Sequence, residues 1–400
     1  MYNTPVRERE VTLLAERVEQ EFLLFVRRPS RYLGGEINQI KKDLTRCRVR
    51  VALCFPDVYE VAMSHTGLAI IYDVLNKMED VAAERVFAPW IDAEKILREK
   101  EISLFSLESK AALASFDIVG FSLTNELCYT NVLNMLDLGG ISIRSADRRE
   151  DEPLVIAGGG QTNCCEPMAE FIDLFVLGEG EEAAVRLVEL VKAGKKTGAT
   201  KREILSEAAE EFEWAYAPAI YAEAEGMLAK WRNAVVEDFE NAPAPVRPIV
   251  PFTQTVHERA TVEIMRGCPG RCRFCQASFC RRPVRRRSVE KIIEIAKACY
   301  RATGFDTVGL LSLSTADYPK LEELVGGLHE YFQERHVGIS LPSLRVDQQL
   351  KLLPQLAASV RKSGLTIAVE AASERLREIV NKPLKDEDLF AGVETAYRAG

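Results

Sequence analysis

Apolar positions along the chain recur with two different periods. Over the first 45 residues they follow helical spacing, at Val11, Leu14, Val18, Phe22 and Phe25. This period predicts an amphipathic helix. From residue 49 onward, short apolar runs alternate with helical stretches instead. The pattern therefore predicts an N-terminal helical segment over residues 1–45, followed by an α/β fold.

The first alternating region, residues 46–200, contains buried apolar runs that end in small or polar residues. The runs predicted as strands are residues 48–55, 116–122, 154–157 and 171–177. Helices of ordinary length between them predict a parallel, doubly wound, Rossmann-like sheet. In such sheets ligands bind beyond the carboxyl ends of the strands, where these turns lie.

A second alternation begins at residue 258, after an irregular stretch over residues 201–257 that we interpret as a connecting subdomain. Its predicted strands are residues 261–265, 308–313, 338–341 and 365–370, and its predicted helices are residues 289–302, 319–334, 348–362 and 386–398. Four βα units are fewer than a closed barrel needs. We therefore expect residues 258–400 to form a partial, TIM-like barrel that is truncated at its C-terminus.

Composition narrows the class of protein further. The net charge of -8 gives no general attraction to nucleic acid, and 47% apolar with 28% charged residues is ordinary for a globular protein. No apolar run is long enough to span a membrane, and the N-terminus does not resemble a signal peptide. We expect a cytoplasmic protein, in which the ten cysteines are thiols and metal ligands rather than disulfides.

Three of these cysteines, Cys268, Cys272 and Cys275, stand directly after the first strand of the second region. Thiolates at this spacing reach three irons of a cubane from one loop and leave the fourth iron open to another molecule. The alternative is a structural zinc site, which prefers four ligands in two pairs. No second pair follows, and Cys280 is the nearest candidate for a fourth ligand.

This segment resembles the radical S-adenosylmethionine (SAM) superfamily, which carries Cys-x3-Cys-x-aromatic-Cys at that position, here with Phe274 as the aromatic residue. The resemblance implies a [4Fe-4S] cluster at Cys268, Cys272 and Cys275. It implies that SAM binds the open iron and that one electron splits it into methionine and a 5′-deoxyadenosyl radical. An electron donor such as flavodoxin or ferredoxin is the expected partner, and Phe274 is expected to shield the cofactor from water.

The same resemblance suggests SAM contacts at two further strand ends. Ser312, Ser314 and Asp317 follow the second predicted strand, while Glu370 and Ser373 follow the fourth. Glu370 could instead pair with Arg345. A Gly34-Gly35-Glu36 sequence looks like the SAM-binding Gly-Gly-Glu of the family but lies outside the barrel, so that role is not transferred.

Eight arginines lie between residues 266 and 287. They are compatible with phosphate or nucleic-acid contact. We favour a role in offsetting the anionic cluster or in surface pairs, because no interleaved aromatic residues suggest base stacking.

The first region resembles the cobalamin-binding domain that precedes the barrel in one radical SAM subgroup. The implied cobalamin contacts follow three successive strands: Ser122, Thr124, Gly158, Gly159, Gly160, Gly178, Glu179 and Gly180. Glycines allow close backbone approach, and small hydroxyl residues can bond the nucleotide tail. Cobalt-ligating domains carry Asp-x-His-x-x-Gly, whereas here Asp57 and His65 have a different spacing. His65 is therefore either a cobalt ligand or an ordinary helix-terminal histidine.

Residues 32–38, 55–60, 64–67, 275–277 and 282–285 extend the likeness to an uncharacterised family of cobalamin-domain radical SAM proteins. We expect cobalamin-dependent methyl transfer to an unactivated carbon, with the substrate unassigned. One alternative is a methylthiotransferase-like enzyme with a second cluster at Cys54, Cys128 and Cys164, next to Cys165. Another is a metal-binding scaffold without turnover.

Overall fold

The computed structural model describes residues 4–223, 231–342 and 368–398. The chain divides into two compact units. The first unit comprises Met1–Val236 and Ile249–Val256, and the second comprises Glu237–Pro248 and His257–Gly400. Among the described residues, no helix is both long enough and apolar enough to cross a membrane.

The first unit is a six-stranded sheet covered by helices. Its strands are β1 Val49–Phe55, β2 Val81–Phe87, β3 Ile118–Ser122, β4 Leu154–Gly158, β5 Leu174–Val176 and β6 Ala215–Tyr216. Its helices are α1 Thr4–Arg17, α2 Tyr59–Ala62, α3 Thr66–Asn76, α4 Ile91–Glu99, α5 Tyr129–Leu138, α6 Gly180–Thr197, α7 Lys201–Glu211 and α8 Pro218–Glu223. The predicted α/β class is thereby confirmed for this part of the chain.

The strand order in this sheet is β2-β1-β3-β4-β5-β6. The first five strands are parallel, and β6 pairs antiparallel with β5. Every residue of β1 and of β2 is buried, because an apolar cluster lies on each face of the sheet. The order reverses between β1 and β3, and in open parallel sheets that reversal opens a crevice beyond the strand ends.

Strand β2 is absent from the sequence prediction because two charged residues stand in its middle. Glu84 and Arg85 are each 2% exposed, and the carboxylates that pair with Arg85 are buried as well. Arg85 pairs with Glu36 at 2.8 Å and with Glu108 at 2.6 Å. Glu36 belongs to the Gly34-Gly35-Glu36 sequence, so in this fold its carboxylate neutralises a buried guanidinium.

The second unit contains a parallel sheet of order β11-β10-β7 and a short antiparallel pair, β8-β9. Its strands are β7 Ala260–Glu263, β8 Met265–Arg266, β9 Arg285–Arg286, β10 Thr307–Leu311 and β11 Gly338–Ser340. Its described helices are α9 Ala277–Cys280, α10 Val289–Thr303, α11 Leu321–Phe332, α12 Glu374–Ile379 and α13 Asp386–Arg398. The predicted helix over 348–362, Arg345 and residues 365–367 of the predicted fourth strand lie outside the described residues.

The stretch predicted as one connecting subdomain, residues 201–257, is divided between the two units. Residues 201–236 complete the first unit, where β6 extends the sheet and Ala234 bridges to Gly178. Residues 237–248 belong to the second unit. The boundaries between the two compact units therefore fall inside this stretch, after residues 236, 248 and 256, and the last of them lies next to the predicted start of the second region at residue 258.

Candidate cluster and cofactor sites

The cysteine loop, residues 267–283, leaves β8 and returns to β9 with its two ends in contact. Gly267 has a φ of 83°, a conformation that side chains other than glycine rarely adopt. A β-carbon built there would lie 2.5 Å from the carbonyl oxygen of Arg281 and 2.8 Å from that of Pro283. Only glycine therefore lets the two ends of the loop approach this closely.

Arg282, inside the cysteine loop, donates hydrogen bonds to two carbonyl groups of the loop. The Arg282 guanidinium donates to the carbonyl oxygen of Ser278 at 2.8 Å and to that of Gly270 at 3.0 Å. The Ser278 hydroxyl, itself buried, donates to the carbonyl oxygen of Cys275 at 2.9 Å. Together with the short helix α9, these bonds fix the backbone that carries the cysteines.

The three thiols of the motif are free and half-buried. A β-carbon at Gly270 would lie 3.3 Å from Cys268 Sγ and 3.9 Å from Cys272 Sγ, so both sulfurs face this glycine. Burial raises the pKa of the Cys272 thiol, while the charge of Lys382 opposes that shift. The donor set fits an iron–sulfur cluster, which takes one thiolate at each of three irons. Among the described residues, no three or more His, Cys, Asp or Glu side chains are arranged around a single ion.

A segment from the far end of the chain docks on the cysteine loop. The Arg273 amide donates to the carbonyl oxygen of Val380 at 3.0 Å, and its guanidinium donates to that of Ile379 at 2.6 Å. The Asn381 side chain donates to the carbonyl oxygen of Arg271 at 2.8 Å. Glu370 and Ser373 of this segment were predicted from the sequence, but the contacting residues 379–381 were missed, because no local motif distinguishes them from an ordinary helix end.

The docked segment brings Glu370 into the neighbourhood of the loop. Lys382 Nζ lies 2.7 Å from Glu370 Oε1, and Lys382 is also within electrostatic range of Cys272. Glu370 has a φ of 66°, a left-handed conformation that residues other than glycine rarely adopt. Ser373 serves as the N-cap of α12, where its hydroxyl accepts from the Leu376 amide at 3.4 Å.

The other predicted SAM contacts lie in the turn after β10. The Ser314 hydroxyl donates to Asp317 at 2.6 Å, and the Ser312 hydroxyl lies 2.7 Å from that of Thr315. These bonds order the turn and leave its polar atoms at the carboxyl end of a parallel strand. Phe274 was expected to shield the cofactor from water. In the described part of the chain it is instead 54% exposed.

Two members of the arginine cluster have structural roles in the second unit. Arg266 and Arg287 stack on Phe239 with guanidinium-to-ring distances of 5.0 Å and 4.6 Å. Arg287, 2% exposed, donates to the carbonyl oxygens of Glu240 and Ala242. Arg266 pairs with Glu263 at 2.7 Å. These contacts give Arg266 and Arg287 a role in packing, which differs from the expected offset of an anionic cluster or pairing at the surface.

In the first unit, two glycines predicted to face a ligand contact the protein backbone instead. A β-carbon at Gly159 would lie 2.5 Å from the carbonyl oxygen of Leu123, and one at Gly178 would lie 2.4 Å from that of Ala234. The buried Glu179 carboxylate accepts from the Val236 amide at 2.6 Å. These three residues join neighbouring loops.

The other residues predicted to contact cobalamin lie at or just after the ends of strands. Ser122 ends β3 opposite Gly158, and no described atom lies within 4 Å of a β-carbon built at Gly158. Thr124 accepts a hydrogen bond from the Asn125 side chain. Gly160 follows β4, and Gly180 begins α6. Ser122, Thr124 and Gly158 therefore lie at the carboxyl edge of the sheet, with open space beside Gly158.

His65 is the N-cap of α3. Its Nδ1 accepts from the Leu68 amide at 3.1 Å, and its ring packs against Phe55.

The cysteines proposed for a second cluster differ in exposure: Cys54 is fully buried within β1, Cys128 is buried and Cys164 is exposed. Burial raises the pKa of the Cys54 thiol well above its usual range, which disfavours the thiolate that iron binds.

Protein-family models match part of each unit of the chain. Residues 262–400 match the radical SAM superfamily, and residues 67–218 match the N-terminal family of radical SAM proteins. An uncharacterized protein of Methanocaldococcus jannaschii, MJ0966, is 24% identical over 353 residues, covering 88% of this chain and 67% of that protein. The fold and the three-cysteine loop define a radical SAM protein, and the chain belongs to the radical SAM superfamily.

Two solved structures share the fold. OxsB, a cobalamin-dependent SAM radical enzyme solved with aqua-cobalamin and SAM, aligns with a TM-score of 0.60 and 16% identity over 87% of this chain. TsrM, a radical SAM methyltransferase from Kitasatospora setae, aligns with a TM-score of 0.56 and 13% identity over 88%. The chain spans 47% of OxsB and 66% of TsrM.

Proposed function

We propose that this protein is a cobalamin-dependent radical SAM enzyme that transfers a methyl group to an unactivated carbon. The observation that carries the proposal is the presence on one chain of the three-cysteine loop and of a parallel sheet with a switch-point crevice. The fold likeness to OxsB and TsrM, whose structures contain cobalamin, supports it. The partial barrel expected for residues 258–400 is part of this proposal.

In the second unit, Cys268, Cys272 and Cys275 would hold three irons of a [4Fe-4S] cluster. When bound, the cluster supplies the electron that splits SAM into methionine and a 5′-deoxyadenosyl radical. Gly267 and Arg282 keep the loop in the shape that presents the thiols. The polar turn after β10, with Ser312, Ser314 and Asp317, would bind SAM, and Glu370 and Ser373 would contribute from the docked segment.

In the first unit, cobalamin would lie in the crevice at the carboxyl ends of β1 and β3. Ser122 and Thr124 would hydrogen-bond its polar groups, and Gly158 leaves space for close approach. His65 Nδ1 already accepts a hydrogen bond as a helix cap. We therefore propose that the lower face of cobalt is not held through that atom.

A reduced electron-carrier protein, of the flavodoxin or ferredoxin class, would supply the electron. We place the enzyme in the cytoplasm, where such carriers and reduced thiols are maintained. The rival function, a methylthiotransferase-like enzyme with a second cluster, is weakened by the burial of Cys54 in the core of the sheet.

Anaerobic reconstitution tests the proposal. We expect about four irons and about one cobalamin per chain, and 5′-deoxyadenosine on addition of SAM and a reductant. About eight irons without cobalamin would favour the second-cluster enzyme instead. Zinc in place of iron, or a cluster that never cleaves SAM, would overturn the radical SAM chemistry and favour the scaffold.

Cys275→Ser and Cys280→Ser form a matched pair for this experiment. Both residues are half-buried cysteines of the same loop, but only Cys275 belongs to the proposed ligand set. We expect Cys275→Ser to lose iron and SAM cleavage and Cys280→Ser to keep both. Loss in both variants would indicate that Cys280 is a fourth ligand.

A further inference from the structure

The Glu370–Lys382 ion pair stands beside the cysteine loop without belonging to the cysteine motif. We propose that this pair sets the reduction potential of the cluster, with Lys382 stabilising the reduced state and Glu370 limiting that effect. The inference rests on the proposed function, because it requires the [4Fe-4S] cluster at Cys268, Cys272 and Cys275.

The position of the pair follows from backbone contacts on both sides of it. Three hydrogen bonds join Arg271 and Arg273 of the cysteine loop to residues 379–381, and Lys382 is the next residue along the chain. The Lys382 amide also donates to the carbonyl oxygen of Arg377 at 2.9 Å. The lysine backbone is therefore held on the loop, and its charge remains near Cys272.

The buried Arg377 anchors the same segment. Its side chain is 1% exposed and donates to the carbonyl oxygens of Ala371, Ala372 and Leu384. Ala371 follows Glu370 directly, and Leu384 lies two residues beyond Lys382. The Arg377 guanidinium therefore binds backbone next to Glu370 and backbone next to Lys382. These bonds hold the two charges in a fixed position relative to the loop.

The sign of the effect follows from electrostatics. Reduction adds an electron to the cluster, and a nearby cation stabilises the added negative charge, which raises the potential. Glu370 Oε1 lies 2.7 Å from Lys382 Nζ, and the two side chains are 34% and 30% exposed. Charges that are partly buried are screened less than fully exposed ones. Removing the lysine leaves an uncompensated anion, whereas removing the carboxylate leaves an uncompensated cation.

The opposite charges of the pair make the test directional. The reconstituted full chain is titrated anaerobically without SAM, because Glu370 is also a candidate SAM contact, and the reduced cluster is followed by electron paramagnetic resonance. We expect Lys382→Gln to lower the midpoint potential and Glu370→Gln to raise it. The double variant should return close to the wild-type value, and Lys382→Arg should preserve it.

Lys385→Gln is the matched control, since Lys385 is an exposed lysine three residues along the same segment; we expect no shift. Single variants that shift in the same direction, or by no more than Lys385→Gln, would overturn the inference. If Lys382→Gln fails to retain iron, Glu370→Gln still tests the inference. This variant keeps the lysine, so the inference requires it to raise the midpoint potential of the cluster. A wild-type chain without a cluster would refute the proposed function itself.

Discussion

Gly267 lies against the carbonyl oxygen of Arg281, so close that a β-carbon on the glycine would be 2.5 Å from that oxygen. Fourteen positions apart in the chain, these two residues close the base of the cysteine loop. The contact is made by backbone atoms, and its tightness leaves no room for a side chain. The geometry of the proposed cluster ligands therefore depends on a residue that cannot itself bind iron.

Gly267→Ala should disrupt the cysteine loop. The substitution adds a steric clash to a positive φ, and the φ alone costs about 1–2 kcal/mol. We expect iron per chain after reconstitution to fall well below the wild-type value. Gly304→Ala is the control, because Gly304 has a φ of 69° but no described atom within 4 Å of a β-carbon. Equal iron content in both variants would contradict the steric argument.

Arg85→Met should destabilise the first unit strongly. It leaves Glu36 and Glu108 as buried carboxylates without their guanidinium partner, which costs about 3–5 kcal/mol in the free energy of unfolding. All three tryptophans, at positions 90, 214 and 231, lie in this unit, so denaturation followed by tryptophan fluorescence reports on it.

Arg98→Met provides the comparison for that measurement. Arg98 pairs with Glu94 and Asp137 at the surface, and exposed pairs contribute about 1 kcal/mol or less. Similar losses in the two arginine variants would mean that the buried network does not stabilise the fold as described.

Glu84→Gln should flatten the dependence of stability on pH. Burial, followed by the charge of Glu108, raises the pKa of the Glu84 carboxyl above its usual value of 4.5. The folded state therefore keeps this proton to higher pH than the unfolded state, and wild-type stability declines as pH rises from 4.5 through the folded-state pKa. Glutamine cannot ionise, so the variant avoids this decline.

The surroundings of Glu84 make the comparison specific. The Ser106 and Ser109 hydroxyls donate to Oε2 at 2.5 Å and 2.6 Å, while Oε1 has no hydrogen-bond partner among the described residues. Denaturation by tryptophan fluorescence at about pH 5 and about pH 8 measures the slope. An unchanged slope in Glu84→Gln would show that this carboxyl does not cause it.

His65→Ala should lower stability without removing cobalamin. The variant loses the N-cap of α3, a change that costs about 1 kcal/mol in typical caps. His65→Asn should recover most of that loss, because asparagine is a favoured N-cap residue. Cobalt per chain is the second measurement, and its loss in both variants would identify His65 as a cobalt ligand.

Local patterns in the sequence determined the α/β class and the cysteine motif. Buried parallel strands read as continuous apolar runs, and ligands that share a loop are recognised by their spacing. The same reasoning missed β2, because Glu84 and Arg85 interrupt its apolar run. Arg85 is buried against Glu36 and Glu108, and Glu84 is bonded by Ser106 and Ser109. These partners lie far along the chain, and a local window does not contain them.

Only the tertiary structure decided what several recognised residues contact. Gly159 and Gly178 have the freedom expected of ligand-binding turns, yet their close neighbours are backbone atoms of Leu123 and Ala234. Asn381 bonds to Arg271 across 110 positions of the chain, a contact that no spacing rule predicts. For the loop of Cys268, Cys272 and Cys275, residue type and spacing in the sequence were enough to propose the cluster ligands. Its closure and its nearby charges depend on long-range packing, which only the folded chain brings about.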